Sequence, residues 1–138
     1  MTQIEQIAPT VTMPLRQAVL YPESSIESII LDEDDLGIHF GLYDNNELIA
    51  VVSLFVRGEE AQFRKFATDS RYQNKGYGST LLNHISQYAY QQGSKIIWCN
   101  ARISAVPFYK KHHFVEIGEI FRKGQIEYLR MEKALTEN

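Results

Sequence analysis

Phe66-Ala67-Thr68-Asp69-Ser70-Arg71-Tyr72-Gln73-Asn74-Lys75-Gly76-Tyr77-Gly78-Ser79 is the stretch whose reading decides the fold. Its apolar opening reads as the end of a strand, its polar middle as a turn carrying Gln-x-x-Gly-x-Gly, and its close as the start of a helix. That helix continues through Leu81, Leu82, Ile85, Tyr88 and Ala89 at spacings of three and four, and Gly93 stands where a C-cap belongs. Glycines at 76 and 78 let backbone N–H groups crowd together without Cβ interference, and the helix N-terminus adds partial positive charge. Lys75 adds a full one. Such a turn binds phosphate or pyrophosphate, although by spacing alone it is equally an ordinary strand-to-helix connection. The chain holds no G-x-x-x-x-G-K-[ST], which excludes a nucleotide-hydrolase P-loop. Nor does it hold G-x-G-x-x-G with a following acidic ribose ligand, which argues against a dinucleotide fold.

Outward from this stretch the elements alternate. Residues 3–7 read as a strand, and Pro14 suits the first turn of a short helix running to Leu20. Leu36, Ile38, Phe40 and Leu42 alternate with smaller or polar residues, as in a strand. Asp44-Asn45-Asn46 is a turn, and 48–56 is apolar on both faces, as in a central strand. Strands at 61–68 and 95–101, a helix at 105–112 and a final pair of strands near 114–121 and 125–133 complete the reading. Antiparallel strands followed by strand–helix–strand predict an α/β (α+β) fold, a mixed sheet with helices on both faces. A chain of 138 residues with 44% hydrophobic content is one domain by length, with material for a sizeable core. The segment Met1–Gln6 lacks the charged and apolar regions of a secretory signal, and no apolar run nears the roughly 18 residues that span a membrane. A cytoplasmic protein is expected. The single cysteine, Cys99, excludes an internal disulfide and a cysteine metal cluster; in its strand it reads as a small buried hydrophobe, and no metal site is expected.

The segment from Phe66 to Gly78 resembles motif A of the GNAT superfamily of acetyl-CoA-dependent N-acyltransferases. Ile96-Ile97-Trp98-Cys99-Asn100-Ala101-Arg102 is similar to that family's next strand. Ala105-Val106-Pro107-Phe108-Tyr109-Lys110-Lys111-His112-His113-Phe114 resembles its A-x-x-F-Y-x-x-x-G-F motif, and 126–133 its last strand. With the strands before residue 60, the resemblance spans nearly the whole chain, 1–138, as a single acetyltransferase domain. It implies a mostly antiparallel central sheet with a splayed pair of central strands. It also implies acetyl-CoA as cosubstrate, with Gln73, Asn74, Lys75, Gly76, Tyr77, Gly78 and Ser79 wrapping the pyrophosphate. Backbone groups of Phe66, Ala67 and Thr68 would meet the pantetheine and oxyanion, Asn100 would contact CoA, and Tyr109 would be the general acid. A phenol near its usual pKa of ~10 is protonated at neutral pH. In three places the chain departs from the family pattern. Ser70 replaces a common Pro, Asn74 a common Gly, and His113 a helix-ending Gly. Asn and His tolerate positive φ, so the loop and the helix end survive, and His112-His113 reads as a helix terminus rather than a metal pair.

Acyl transfer to an amine also needs a base, and Gln62 to Phe66 offer no glutamate where many members carry one. Glu59 and Glu60 lie too far off at the turn. His39 is a candidate participant, against the plainer reading of a packed strand histidine. Residues 1–56 carry a formal charge of −8 and 57–138 carry +5. The positive half holds the phosphate loop, and the negative half, with Asp32-Glu33-Asp34-Asp35, points to a cationic acceptor unless that run is merely solvated. The acidic pI of about 5.8 argues against nucleic acid. The expected function is an N-acetyltransferase working by direct attack in a ternary complex, as a monomer or homodimer, on an unidentified amine. The alternative of another class is a non-catalytic acyl-CoA-binding sensor or interaction module.

Overall fold

A computed structural model describes residues 1–136 of the chain. Its strands are β1 (Thr2–Ile7), β2 (Ile38–Asp44), β3 (Glu47–Arg57), β4 (Glu60–Thr68), β5 (Ile96–Arg102), β6 (Val115–Lys123) and β7 (Ile126–Ala134). They form one seven-stranded sheet in the hydrogen-bonded order β1-β2-β3-β4-β5-β7-β6. The β1/β2, β2/β3, β5/β7 and β6/β7 pairs are antiparallel, and β4/β5 is parallel. The helices are α1 (Pro9–Leu15), α2 (Ile26–Ile29), α3 (Tyr77–Gln91) and α4 (Val106–Lys111). This is the mixed α/β architecture that the alternation predicts, mostly antiparallel as the family resemblance implies. No helix among the described residues is long and apolar enough to cross a membrane.

The chain divides into two compact units, one holding Met1–Phe55 and Phe63–Ile85, the other Val56–Gln62 and the chain from Ser86 on. In the first, β3 is buried from Ile49 to Phe55, as a run apolar on both faces requires, with Ser53 the polar residue inside it. Leu15, Val51 and Ala67 are buried together, with Ile7, Val19, Leu20 and Leu48 packed against them. The β2–β3 hairpin turns on Asn45 and Asn46 at φ 51° and 68°, the left-handed pair that a type I′ turn demands.

The first helix departs from expectation. It begins at Pro9, not Pro14, because Ala8 is extended and Pro9 supplies the preset φ of a first helical position. Pro14 therefore falls inside it, with no N–H for the carbonyl one turn back. Past that point the chain widens into a π-helical turn, Arg16–Leu20, and the Tyr21 N–H is shared by the Arg16 and Gln17 carbonyls at 3.2 Å each. The short helix α2 had no counterpart in the sequence reading. Leu36 also differs: it sits in a 3₁₀ turn (Asp34–Leu36), 80% exposed, and β2 begins two residues later.

In the second unit, the β5/β7 ladder runs from Ile96↔Ala134 to Arg102↔Tyr128. Helix α4 ends as its sequence predicts, with His113 at φ 72°. The Phe114 N–H donates to Tyr109 O and the His113 N–H to Lys110 O, both at 3.0 Å. That is a Schellman end, and its hydrophobic contact is the Tyr109–Phe114 ring pair, 5.6 Å between centroids. The helix terminus thus fixes the rotation of Tyr109. Strand β6 is exposed along its whole length.

Candidate functional site

The loop between β4 and α3 is built as a cradle. Asn74 and Gly76 take φ 64° and 89°, and a Cβ added to Gly76 would meet nothing within 4 Å. Open space therefore lies over the turn, and α3 begins at the next residue, Tyr77. The Thr80 N–H and Oγ1 both donate to Gly76 O at 3.1 Å, closing the first turn. Gln73 is exposed, and its side-chain amide donates to Thr68 O at 3.0 Å, tying the loop to the end of β4. Lys75 is exposed, its Nζ 5.9 Å from the Tyr72 ring centroid.

What steadies this loop was not legible in the motif. The Tyr77 hydroxyl donates to Asp44 Oδ2 at 2.5 Å, and the Tyr72 hydroxyl to Glu47 Oε1 at 2.7 Å. Arg71 donates to Glu47 and Asp69 at 2.7 and 3.0 Å, and Asp69 also accepts the Arg71 N–H at 3.0 Å. The hydrogen bond from Tyr77, then the N-terminal ammonium, holds the Asp44 carboxyl below its usual range, and the Tyr77 phenol is correspondingly raised. So the two residues that flank the β2–β3 turn, Asp44 and Glu47, fasten the loop by its tyrosines. The sequence signal was a carboxylate on each side of the Asn45-Asn46 turn.

Strand β4 is irregular where the reading places the thioester. Its ladder with β5 runs from Glu60↔Ile96 to Gln62↔Trp98, while β4 continues to Thr68 and β5 to Arg102. Lys65 then takes φ 57°, a left-handed residue inside a strand and the mark of a bulge. Phe66 and Thr68 beyond it are half-buried and Ala67 is buried.

Tyr109 and Asn100 belong to the second unit. Tyr109 is 7% exposed, and its hydroxyl donates to the Cys99 sulfur. Burial, then the neighbouring Cys99, pushes the phenol well above 10, and burial pushes the Cys99 thiol up to about 12. Both groups are therefore protonated at neutral pH. Cys99 is the buried small residue expected, but it is also the hydrogen-bond partner of Tyr109, which spacing could not announce. Asn100, next along β5, alternates out to solvent and is exposed.

A family model described as an acetyltransferase (GNAT) domain matches residues 17–135. The chain belongs to the GNAT family. It is 29% identical over 130 residues to an uncharacterized N-acetyltransferase, YitI, of Bacillus subtilis, covering 88% of this chain and 87% of that one. A crystal structure of a putative N-acetyltransferase from Lactobacillus plantarum superposes with a TM-score of 0.88 at 22% identity, covering 98% of this chain and 99% of that one. An aminoglycoside 6'-N-acetyltransferase complexed with coenzyme A shares the fold at a TM-score of 0.78 and 12% identity, with 99% and 98% coverage.

His39 and two residues of the acidic run, Asp34 and Glu33, are taken up by internal pairings of this GNAT chain. The Arg16 guanidinium, fully buried, donates to Asp34 Oδ1 and Oδ2 at 2.9 Å each and to Ser53 Oγ at 2.8 Å. His39 Nε2 lies 2.8 Å from the Asp34 carbonyl oxygen and Nδ1 lies 2.7 Å from Ser53 Oγ. A carbonyl can only accept, so Nε2 donates, and Nδ1 is engaged by the Ser53 hydroxyl, which also accepts from Arg16. His39 is thus occupied on both nitrogens and is no base. Burial would raise the Asp34 carboxyl, but hydrogen bonds from Arg16 and the Leu31 N–H hold it below its usual value. Glu33 is likewise taken up, by an ion pair with Arg64.

Proposed function

We propose that this GNAT chain is an acetyl-CoA-dependent N-acetyltransferase, one catalytic domain that passes the acetyl group directly to an amine in a ternary complex. The observation that carries the reading is the loop of Asn74 and Gly76, both left-handed, with open space above it and a long helix starting behind it. Such a turn suits the phosphates of CoA, and the loop residues Gln73 to Ser79 are the ones that would hold them. Asn100, exposed on β5, is assigned a contact with the same molecule. Acetyl-CoA, when bound, supplies the thioester from which the amine takes the acetyl group with release of the CoA thiol. The backbone of Phe66, Ala67 and Thr68 orients that group and offers donors to its oxygen. Tyr109 holds a proton at its phenol oxygen for the leaving sulfur, and its raised pKa keeps that proton in place across the neutral range. The acidic run gives little support to a cationic acceptor, since Asp34 and Glu33 are spent on internal arginines.

A non-catalytic acyl-CoA-binding module is the rival, favoured by the lack of a carboxylate in Gln62–Phe66. CoA release from acetyl-CoA, measured with the protein alone and across an amine panel, separates the two. Release that rises with an amine supports the enzyme, and release that no amine accelerates supports the module. The loop assignment is tested beside it. Acetyl-CoA should raise the melting temperature of the native protein by mass action. Gly76→Val should abolish the rise in a protein that still folds, because a branched Cβ at φ 89° deforms the turn and fills the space above it.

A further inference from the structure

Among the described residues, Lys65 is a cation with no carboxylate partner. In the unit that contains it, each arginine has a carboxylate: Arg16 has Asp34, Arg64 has Glu33, and Arg71 has Asp69 and Glu47. Lys65 is half-buried, and among the described residues its partner is the Tyr21 hydroxyl, to which Nζ donates, with the ammonium 4.5 Å from the Tyr21 ring centroid. Burial lowers its pKa, Tyr21 opposes that, and the positive charges of Arg64 and Arg16 lower it further. An ammonium has three N–H donors, and a phenol takes one.

The backbone adds a second observation. Neighbours along a strand point to opposite faces. Yet Arg64 pairs with Glu33 and Lys65 with Tyr21, both in the segment that links the π-helical turn to β2. The left-handed φ of 57° at Lys65 interrupts the regular alternation of the strand at this pair. A lysine in that conformation is strained, and a half-buried cation beside two arginines is costly. Two costs at one residue, next to the stretch assigned to the thioester, point to a ligand that offsets them.

We propose that Lys65 and Tyr21 form an anion subsite that recognises a carboxylate on the acceptor, so that the amines acetylated are of the amino-acid class. This rests on the reading that Phe66 to Thr68 hold the thioester, since one strand step is about 3.3 Å and places Lys65 beside the acyl group. It replaces the cationic acceptor that net charge alone suggested.

The test pairs α-amino acids with their carboxamides, which differ in the carboxylate alone. The protein should favour the acid in each accepted pair by about tenfold or more in kcat/KM, as for a hydrogen-bonded charge. Lys65→Met should bring that ratio close to one, and Tyr21→Phe should reduce it. Calorimetry with N-acetyl amino acids against their amides reads the subsite even if no amine is acetylated, an outcome that would sink the enzyme reading alone. Lys65→Gly distinguishes recognition from structure. It relieves the strained φ, so the preference should vanish while the melting temperature holds or rises. Acetyl-CoA affinity should be the same in all three variants; a fall in Lys65→Met would assign the anion to the phosphates of CoA and overturn the proposal. It is equally overturned by a ratio near one in the parent protein, by failure of every N-acetyl amino acid to bind, or by Lys65→Gly melting lower with its preference intact.

Discussion

At the scale of single residues, Tyr109 carries the chemistry proposed here, and its surroundings set what its loss should do. The hydroxyl is buried and donates to Cys99, so Tyr109→Phe removes one hydrogen bond of about 1 kcal/mol and keeps the ring against Phe114. As general acid the same hydroxyl is worth roughly 10²–10⁴ in rate. The expected outcome is a fall in kcat of about 100-fold or more, with little change in melting temperature or acetyl-CoA affinity. Near-normal turnover in the folded variant would remove Tyr109 from the mechanism. The raised pKa adds a sign. A phenol held above 10 by burial stays protonated as the solution passes pH 9, so the kcat profile should show no alkaline fall there from this group. A loss of rate centred below pH 10 that disappears in Tyr109→Phe would contradict the burial argument.

Among elements, the join between the π-helical turn, the Asp34–Leu36 turn and β2 depends on one buried ion pair. Arg16 has no exposure, so Asp34→Asn leaves a buried guanidinium without its counter-charge, a loss of about 3–5 kcal/mol. Urea unfolding should register it as a lower midpoint, and a change under about 1 kcal/mol would mean that solvent reaches Arg16. The pair also sets an acid limit. The folded-state pKa of Asp34 lies below its usual value of 3.8, so its contribution is complete above that value and is lost as pH falls through the depressed one. Stability of the parent should thus drop more steeply below about pH 4 than that of Asp34→Asn.

For the molecule as a whole, charge is unevenly spread along the chain, and the consequence is largest for a polyanionic cosubstrate. Lys75 is exposed on the loop proposed to hold the phosphates, and in that reading its charge would contribute to the attraction. Lys75→Ala should weaken acetyl-CoA binding and flatten its dependence on salt, compared by calorimetry at low and high ionic strength. Equal slopes in the two proteins would make Lys75 an ordinary solvated lysine.

The sequence by itself determined what depends on the backbone preferences of neighbouring residues. The strand-to-helix loop, the left-handed Asn74 and the His113 helix end were legible because each rests on local conformation and spacing. So was the order of the strands along the chain. Local reading also erred: Pro9 and Pro14 compete to start the same helix, extended Ala8 settles it in favour of Pro9, and Leu36 belongs to a turn before β2, not to the strand. The tertiary structure decided which side chains meet. Cys99 beneath Tyr109, Asp44 and Glu47 under the loop tyrosines, Asp34 against Arg16 and Tyr21 on Lys65 are all pairs remote in sequence. Periodicity tells which face of an element a residue occupies but not what lies opposite it. The protonation of a phenol, the charge of a buried aspartate and the phenol contact of a lysine are all set by what lies opposite.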